Sequence, residues 1–206
     1  MTLPDITTFG SLLLASYLLG SVATAVLVCR LLGLPDPRQQ GSGNPGATNV
    51  LRIGGRLAGG LTLLGDMLKG LLPTLLAHQL GLDLTAVAAI MLAAFLGHLD
   101  PVFFGLRGGK GVATGLGGLL GLSLATGISA LITWLIVFAL FRRSSAAAIS
   151  AWLLAPAWAW VWLQALHPSL LVLALALLPI WRHRTNIRRL LRGEEPRMGS
   201  PAANAP

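Results

Sequence analysis

The sequence is poor in charged residues and nearly without cysteine, and both shortages exclude classes of protein. Only 11% of the 206 residues are Asp, Glu, Lys or Arg, whereas 54% are apolar and the mean hydropathy is +0.75. A soluble domain carries roughly twice that share of charge. Cys29 is the only cysteine, which excludes disulfides within the chain and cysteine-rich zinc sites. The composition therefore indicates a membrane protein whose solvent is the bilayer.

Several enzyme motifs are also missing. The stretch before Lys110 lacks the first glycine of the nucleotide-binding pattern G-x-x-x-x-G-K, because Phe104 stands there, and Gly111 follows the lysine. A G-x-S-x-G nucleophile motif is absent, and the four histidines are scattered along the chain. We therefore exclude a P-loop ATPase, and we predict neither a metal site nor a cofactor.

Long apolar stretches divided by polar loops predict an all-α, polytopic integral membrane protein. A transmembrane helix needs about 20 apolar residues. The apolar runs cover residues 9–29, 57–80, 84–99, 112–140 and 146–181. The last two runs are too long for one span each, so we expect breaks within 123–127 and 164–168. The chain then has about seven transmembrane helices.

The positions of the basic residues predict how the chain crosses the membrane. The formal net charge is +8, but Lys and Arg in a membrane protein report topology before nucleic-acid binding, because they stay on the cytosolic side. With the N-terminus outside and the C-terminus cytosolic, all 15 Lys and Arg except Lys69 fall on the cytosolic face. Residues 1–192 then form a single transmembrane domain, and the Pro- and Ala-rich tail 193–206 is predicted to be disordered.

The densest polar segment is the loop from Gly41 to Asn49, which contains small residues, hydroxyls and amides but no carboxylate. Glycines allow backbone N–H groups to converge on an oxyanion. A flexible connection would use the same residue types, but nine residues without a helix signal at a membrane boundary favour a function. The phosphate-binding candidates in this segment are Ser42, Gly43, Asn44, Thr48, Asn49 and the following Arg52.

A second cluster combines glycine amides with a cation. It consists of Gly108, Gly109, Lys110 and Thr114. Taken alone, Lys110 would be a charge that fixes the topology. We interpret it as part of a phosphate cradle, because a lysine beside glycine amides can hold a phosphate group.

Two charges lie inside the second apolar run. Asp66 and Lys69 are three residues apart, so they share one helical face and can pair. Charges inside a membrane cost several kcal/mol unless they are paired or hydrated, which makes them candidates for a site. A structural ion pair explains them equally well. In either case we expect Asp66 to orient Lys69.

Three further polar residues reach the same membrane face. His183 and Asn186 lie three residues apart at the end of the last apolar run, among arginines that we expect to contact anionic lipid headgroups. Ser145 lies in a short basic loop, where a serine alone would be an ordinary turn or helix-capping residue. We include all three in the candidate site.

Four motifs follow one another in the order found in a single family. They are Ser42–Asn49 with Arg52, Gly65-Asp66-x-x-Lys69-Gly70, Gly97-His98-x-x-Pro101 through Gly108–Thr114, and His183-Arg184-x-Asn186-Ile187. In these motifs the chain resembles the bacterial acyl-phosphate:glycerol-3-phosphate acyltransferases, the PlsY family, over nearly its whole length. One departure is an Arg-x-x-Ser-x-x-Ser pattern that matches at Arg142 and Ser145 but ends in Ala148.

The resemblance implies a reaction, its substrates and its place in the cell. The family transfers a fatty acyl group from acyl phosphate to the 1-hydroxyl of glycerol 3-phosphate. The products are lysophosphatidic acid and phosphate, in the first acylation step of phospholipid synthesis. We accordingly expect a multi-pass protein of the bacterial inner membrane, in contact with membrane lipids, with a cytosolic active site. We expect no nucleic acid and no required protein partner.

The resemblance also implies roles for the candidate residues. The expected catalytic residues are Lys110, Ser145, His183 and Asn186. The residues expected to hold glycerol 3-phosphate are Ser42, Arg52 and Lys69. The proton acceptor is either His183 or a phosphate oxygen of a substrate, and we favour the substrate because it needs no protein base.

Two functions from other classes remain open at this stage. A transporter of an anionic, phosphate-bearing metabolite could use Asp66 and Lys69, but such proteins often consist of two similar halves, and the sequence has no internal repeat. A lipid-binding scaffold needs net charge rather than particular polar residues, so Lys110→Arg would leave it intact.

Overall fold

The computed structural model describes residues 3–199, and the regular structure of these residues is helical. The α-helices in chain order are α1 (Leu3–Gly20), α2 (Thr24–Leu31), α3 (Ala47–Gln79), α4 (Leu84–Leu99), α5 (Val112–Leu122), α6 (Leu124–Phe141), α7 (Ser144–Leu163), α8 (Leu166–Arg182) and α9 (Arg184–Leu191), with a short 3₁₀ helix at Val102–Phe104. The all-α class predicted from the apolar runs is thus confirmed.

Several of these helices are long and apolar enough to cross a membrane. Helices α3, α6 and α7 qualify singly, as does α4 together with the 3₁₀ helix, and the count rises to six if the bent pairs α1–α2 and α8–α9 are each one span. Helix α5 is apolar but has 11 residues. The chain is a polytopic membrane protein, while the seven spans and the orientation of the termini stay predictions.

Both long apolar runs are interrupted where their length required it. Ser123 separates α5 from α6, and its side-chain oxygen accepts a hydrogen bond from a backbone N–H in the first turn of α6 at 3.3 Å. Gln164 follows α7 in the left-handed conformation with φ 49°, and α8 begins at Leu166. The two breaks fall within the predicted segments 123–127 and 164–168.

The first half of the chain contains two bends that the apolar pattern did not indicate. Helices α1 and α2 meet at 43° across residues 21–23, so the run 9–29 is not one straight helix. In α3, Gly55 has φ 74° and ψ −168°, which favours glycine and divides the helix into a short first segment and a long second one. The short segment carries Thr48 and Arg52, so these two residues lie on a helix rather than in a loop.

Small residues bring the helix backbones into direct contact. A side chain at Gly97 would collide with the backbone of α1, and one at Gly70 would collide with the Thr114 carbonyl of α5. Next to these contacts Phe95 packs edge-on against Trp152, with 5.8 Å between ring centroids. The long segment of α3 is therefore held in a fixed position along α5, the helix that follows Lys110.

The polar connections meet in pairs at the helix ends. Arg38, in the loop after α2, pairs with Asp36 at 2.7 Å and donates to the Phe104 carbonyl oxygen at 3.2 Å. This arginine lowers the pKa of the Asp36 carboxyl, mainly through the side-chain hydrogen bond. The Met198 N–H donates to the Arg142 carbonyl oxygen at 2.7 Å. The loop after α2 thus lies against the loop before α5, and the tail lies against the α6–α7 turn.

Candidate active site

Four side chains from distant parts of the sequence form one hydrogen-bonded group, called here the loop cluster. Lys110 Nζ donates to Asn186 Oδ1 at 2.5 Å, and Asn186 Nδ2 donates to Glu195 Oε1 at 2.7 Å. Ser145 Oγ donates to the same carboxylate oxygen at 2.6 Å. The loop cluster therefore joins three of the four residues predicted to be catalytic to a glutamate that was not predicted.

Helix ends position each member of the loop cluster. Lys110 precedes Gly111, whose φ of 79° allows the chain to turn sharply into α5. Ser145 lies in the first turn of α7, and Asn186 lies in the first turn of α9. Glu195 follows α9, and an arginine of the α6–α7 turn donates to its backbone carbonyl oxygen at 2.9 Å. The site is thus fixed by the bundle and not by one flexible loop.

Positive charge exceeds negative charge around Lys110. Burial lowers the pKa of Lys110, the Glu195 carboxylate partly offsets this effect, and the charges of Arg189 and Arg52 lower the pKa further. The three cations Lys110, Arg52 and Arg189 are therefore accompanied by a single carboxylate, that of Glu195. An additional anion would stabilise this arrangement, and phosphate accepts charge-assisted hydrogen bonds from both Lys and Arg.

Among the residues that the structure describes, four buried side-chain atoms lack a hydrogen-bond partner. Arg52 Nε and Glu195 Oε2 belong to charged groups that act on Lys110, Thr114 Oγ1 lies four residues beyond Lys110 in α5, and Thr126 Oγ1 lies in α6. A phosphate oxygen would satisfy the arginine and the threonine, and a ligand hydroxyl would satisfy the carboxylate. Unpaired buried polar groups cost about 1–3 kcal/mol each, so their concentration here indicates a binding site.

The orientation of His183 is fixed by a backbone acceptor. Its Nδ1 lies 2.7 Å from the Pro179 carbonyl oxygen, which can only accept, so Nδ1 carries the hydrogen of the neutral ring. Nε2 is then the hydrogen-bond acceptor of the side chain. The charge of Lys110 acts on the imidazole, and the ring is buried. His183 thus adjoins the loop cluster with a defined tautomer.

The segment from Gly41 to Asn49 folds around one buried amide. Asn49 Oδ1 accepts a hydrogen bond from the Ser42 N–H at 2.9 Å, and Asn49 Nδ2 donates to two backbone carbonyls of the preceding turn at 2.9 and 3.0 Å. The amide of Asn49 is therefore engaged in holding the loop. The other candidates of this segment are more accessible, with Ser42 and Gly43 exposed and Asn44 and Thr48 half-buried.

Gly108 and Gly109 lie directly on the end of α4. The Gly109 N–H donates to the His98 carbonyl oxygen at 3.3 Å. A side chain at Gly108 would collide with the carbonyl oxygens of His98 and Leu99. The two glycines are thus needed for close backbone contact, and the Gly109 amide already has a protein acceptor.

Lys69 makes its contacts outside the loop cluster, in a group called here the buried triad. Lys69 Nζ lies 2.9 Å from Asp66 Oδ1 and donates to the Val22 carbonyl oxygen at 2.8 Å. His98 Nδ1 lies 3.6 Å from the same Asp66 oxygen. The buried triad of Asp66, Lys69 and His98 therefore contains the ion pair expected from the sequence, with a histidine added.

The most important residue that sequence reasoning missed is Glu195. It belongs to the tail 193–206, of which the structure describes residues 193–199, and the side chain is buried with 8% of its surface exposed. Residues 200–206 lie outside the described part of the chain. A signal was available, because Glu194 and Glu195 stand together in a basic segment of a chain with seven acidic residues.

The arrangement suits the binding of a phosphate group by lysine, hydroxyl and amide donors. Within the described part of the chain, no group of three or more His, Cys, Asp or Glu side chains is placed to hold a metal ion. The fold and the site together define an integral membrane protein with a cationic face that is suited to binding anions.

The comparison with known proteins identifies the family. Residues 10–193 match the family model described as glycerol-3-phosphate acyltransferase, and the chain belongs to this family. It is 58% identical to the glycerol-3-phosphate acyltransferase of Thioalkalivibrio sulfidiphilus, over 95% of this chain and 96% of the relative. It is 56% identical to that of Methylococcus capsulatus, over 90% of this chain and 93% of the relative.

Solved structures agree with this assignment. The fold matches a crystal structure of PlsY (YgiH), an integral membrane glycerol 3-phosphate acyltransferase, in its glycerol 3-phosphate form, with TM-score 0.88, 39% identity and coverage of 93% of this chain and 96% of that chain. The lysophosphatidic acid form of the same enzyme matches with TM-score 0.86, 38% identity and coverage of 95% and 98%. The family resemblance read from the four motifs is thus confirmed.

Proposed function

We propose that this chain transfers a fatty acyl group from acyl phosphate to the 1-hydroxyl of glycerol 3-phosphate, giving lysophosphatidic acid and phosphate. The acceptor and product are supported by the names of the related structures, which carry glycerol 3-phosphate and lysophosphatidic acid. The enzyme acts in the bacterial inner membrane, with the N-terminus outside and the loop cluster facing the cytosol, as the distribution of Lys and Arg favours.

The observation that carries the proposal is the convergence of Lys110, Ser145 and Asn186 on one point. These groups supply a positive charge, a hydroxyl and an amide beside the cations Arg52 and Arg189. Both proposed substrates bear phosphate, and a site with excess positive charge and unpaired buried donors is suited to bind them.

The proposed chemistry needs no covalent enzyme intermediate, because acyl phosphate is an activated mixed anhydride. The 1-hydroxyl oxygen of glycerol 3-phosphate forms a bond to the acyl carbonyl carbon, and the bond from that carbon to the phosphate oxygen breaks. The hydroxyl proton passes to a phosphate oxygen of a substrate. Lys110 stabilises the charge that develops on the carbonyl and on the departing phosphate, an effect that often dominates catalysis.

His183 then has a binding and orienting role. Its Nδ1–H is held by the Pro179 carbonyl oxygen at 2.7 Å, so its Nε2 can accept a hydrogen bond from a protonated phosphate or a hydroxyl. The ring can therefore hold a substrate in register without removing its proton. The positive charge of Lys110 opposes protonation of the His183 ring, which makes the ring a poor proton acceptor. Proton transfer to a substrate phosphate explains how turnover proceeds without the ring.

An apolar cavity beside the loop cluster supports a lipid substrate. It is a small hollow between α5, α6 and α7, open on one side and with room for about two water molecules in this structure, and its lining is Val112, Leu116, Leu119, Ala130, Trp134, Ala151 and Trp152. Val112 is two residues beyond Lys110, so the cavity opens close to the polar site. We assign it to the first methylene groups of the fatty acyl chain, because burial of each there would stabilise binding by about 0.8 kcal/mol.

The test is an assay with the purified, reconstituted full chain. Glycerol 3-phosphate is supplied with a long-chain acyl phosphate or, in parallel, with the matching acyl-CoA, and both lysophosphatidic acid and phosphate release are followed. Product from acyl phosphate alone supports the proposal. Product from acyl-CoA alone would reject the donor, and no product from either, with folded protein, would reject the acyl transfer.

A further inference from the structure

The buried triad lies away from water, and its charges are matched. Asp66, Lys69 and His98 are each at most 6% exposed, although α3 and α4 carry them into the membrane. Lys69 is bonded both to Asp66 and to the Val22 carbonyl oxygen, which the bend between α1 and α2 leaves available. Charges that satisfy one another in this way do not call for a ligand.

The triad contacts the glycine loop, the segment 105–111 before α5, through His98. The main chain of His98 accepts the hydrogen bond of the Gly109 N–H at 3.3 Å. The ring of His98 lies so close to Gly109 that a side chain there would collide with Nε2 and Cε1. Asp66 Oδ1 lies 3.6 Å from the other ring nitrogen, so the ion pair borders the same ring that lies against Gly109.

Two further helices fix the end of α4, from which His98 projects. Tyr17 Oη donates to the Asp100 carbonyl oxygen at 2.9 Å, and Arg182 pairs with the Asp100 carboxylate at 2.6 Å. Arg182 also donates to the Leu99 carbonyl oxygen at 3.2 Å. The end of α4 is thus a rigid support, and the triad is the part of it that touches Gly109 with a side chain.

The space between the triad and the loops is too small for a substrate. It is a cavity bounded by Lys69 and His98 on one side and by Pro45, Gly108 and Gly109 on the other, with room for about one water molecule. Glycerol 3-phosphate has many times that volume. Lys69 already has two protein partners, Asp66 and the Val22 carbonyl oxygen, and the space beside it would have to widen to admit a substrate phosphate.

We propose that the buried triad positions the glycine loop, and with it Lys110, and that Lys69 does not bind glycerol 3-phosphate. The Asp66–Lys69 pair fixes the His98 ring, and the ring fixes Gly109, which is one residue before Lys110. The proposal rests on the proposed function for what the loop does in catalysis, and its tests on loop structure need no turnover.

The first test is a double-mutant cycle of His98→Ala and Gly109→Ala. With His98 present, the methyl group of Gly109→Ala should displace the loop and lower turnover about tenfold, as expected for residues that position a catalytic group. With His98→Ala the methyl group has room, so the added loss should be threefold or less. The matched control is Gly60→Ala in α3, where a side chain meets nothing within 4 Å. Equal losses in both backgrounds would overturn the proposal.

The second test is hydrogen exchange, measured by mass spectrometry on the reconstituted full chain. The variant is Asp66→Asn with Lys69→Met, which removes both charges together and leaves no unpaired buried ion. We expect exchange of peptides covering 105–111 to rise about tenfold, with exchange of the α6–α7 turn unchanged. A uniform rise along the chain would show a merely structural role.

Unchanged exchange in 105–111, combined with lost binding of glycerol 3-phosphate, would show that Lys69 binds the substrate, and this too would overturn the proposal. If the native chain shows no acyl transfer with either donor, the proposed function fails while the exchange result still stands or falls by itself. The two failures are therefore distinguishable.

Discussion

The loop cluster and the buried triad are two polar groups of similar composition in different electrostatic situations. The loop cluster has Lys110 and one carboxylate, with Arg52 and Arg189 close enough to act on the lysine. In the buried triad, one lysine faces one carboxylate at 2.9 Å. Within the described part of the chain, the loop cluster includes or adjoins buried side-chain atoms that have no hydrogen-bond partner. In the buried triad, the charged groups contact one another.

The difference teaches how to separate a binding site from a support in a membrane protein. A charge inside the bilayer suggests function by default, and by that rule Lys69 was a candidate for the site. What separates the two lysines is the balance of charge around them and not the depth at which they lie. A group with excess charge of one sign is stabilised by a ligand of the opposite charge. A group whose charges are matched holds the helices that carry it in place.

The largest expected effect is that of Lys110→Arg. A charge-preserving change should still reduce turnover by at least about 100-fold, because the guanidinium differs in size and donor geometry from the ammonium that stabilises the transition state. Phosphate release from acyl phosphate is the measurement. Arg107→Lys, the reverse exchange at an exposed position of the same loop, is the matched control. Full activity of Lys110→Arg would instead favour a lipid-binding scaffold.

Glu195→Gln should have the next largest effect. The amide keeps one oxygen for Ser145 and Asn186 but loses the negative charge opposite Lys110, so we expect a 10- to 100-fold loss of activity, about the size seen for groups that orient ligands. The exposed neighbour Glu194→Gln is the control. Equal activity of the two variants would mean that the carboxylate does not organise the loop cluster.

His183→Ala should weaken substrate binding and slow turnover, by about tenfold in total, without abolishing either. A phosphate oxygen remains as the proton acceptor in this variant. Steady-state kinetics with both substrates varied are the measurement, and the exposed His167→Ala is the control. Complete loss of turnover with intact substrate binding would identify His183 as the general base.

As the pH rises, the activity should begin to fall at a lower pH than it would if it depended on a lysine with an ordinary pKa. Burial lowers the pKa of Lys110 below its usual 10.5, so the ammonium loses its proton, and its positive charge, earlier as the pH rises. The unfolded chain holds that proton more tightly, so the same titration does not destabilise the fold. A pH–rate profile, corrected for spontaneous hydrolysis of acyl phosphate, measures this. An activity that follows thermal unfolding instead would contradict it.

The smallest effect is expected in the apolar cavity. Ala151→Leu should narrow it and shift the preference towards shorter acyl chains by several-fold, since one methylene group is worth about 1–3 kcal/mol of discrimination. Competition between acyl phosphates of different length measures the shift. Ala157→Leu, on an exposed face of the same helix, is the control. An unchanged preference would place the acyl chain elsewhere.

The helices and their breaks were predictable because they depend on local properties. The apolar runs are too long for single spans, and this alone placed the breaks that occur at Ser123 and Gln164. Residue spacing likewise predicted the pair of Asp66 and Lys69. The bend at Gly55 has no apolar signature, because it lies before the run 57–80, in a Gly- and Arg-containing segment whose composition predicts a loop.

The site was predictable in its residue types but not in its contacts. Lys110, Ser145 and Asn186 were found by their chemistry, and their catalytic roles stay predictions. That Asp66 lies beside His98 depends on the close packing of α3 and α4, which no spacing reveals. Asn49 was assigned to a substrate, whereas its amide is engaged with the backbone of its own loop.

The contribution of Glu195 also bears on how the protein is made. This residue follows every other member of the loop cluster in the chain, and it is synthesised after helices α1 to α9. Until it arrives, Ser145 and Asn186 lack their shared acceptor. A nascent chain that has not yet reached Glu195 thus lacks the carboxylate that joins α7 to α9.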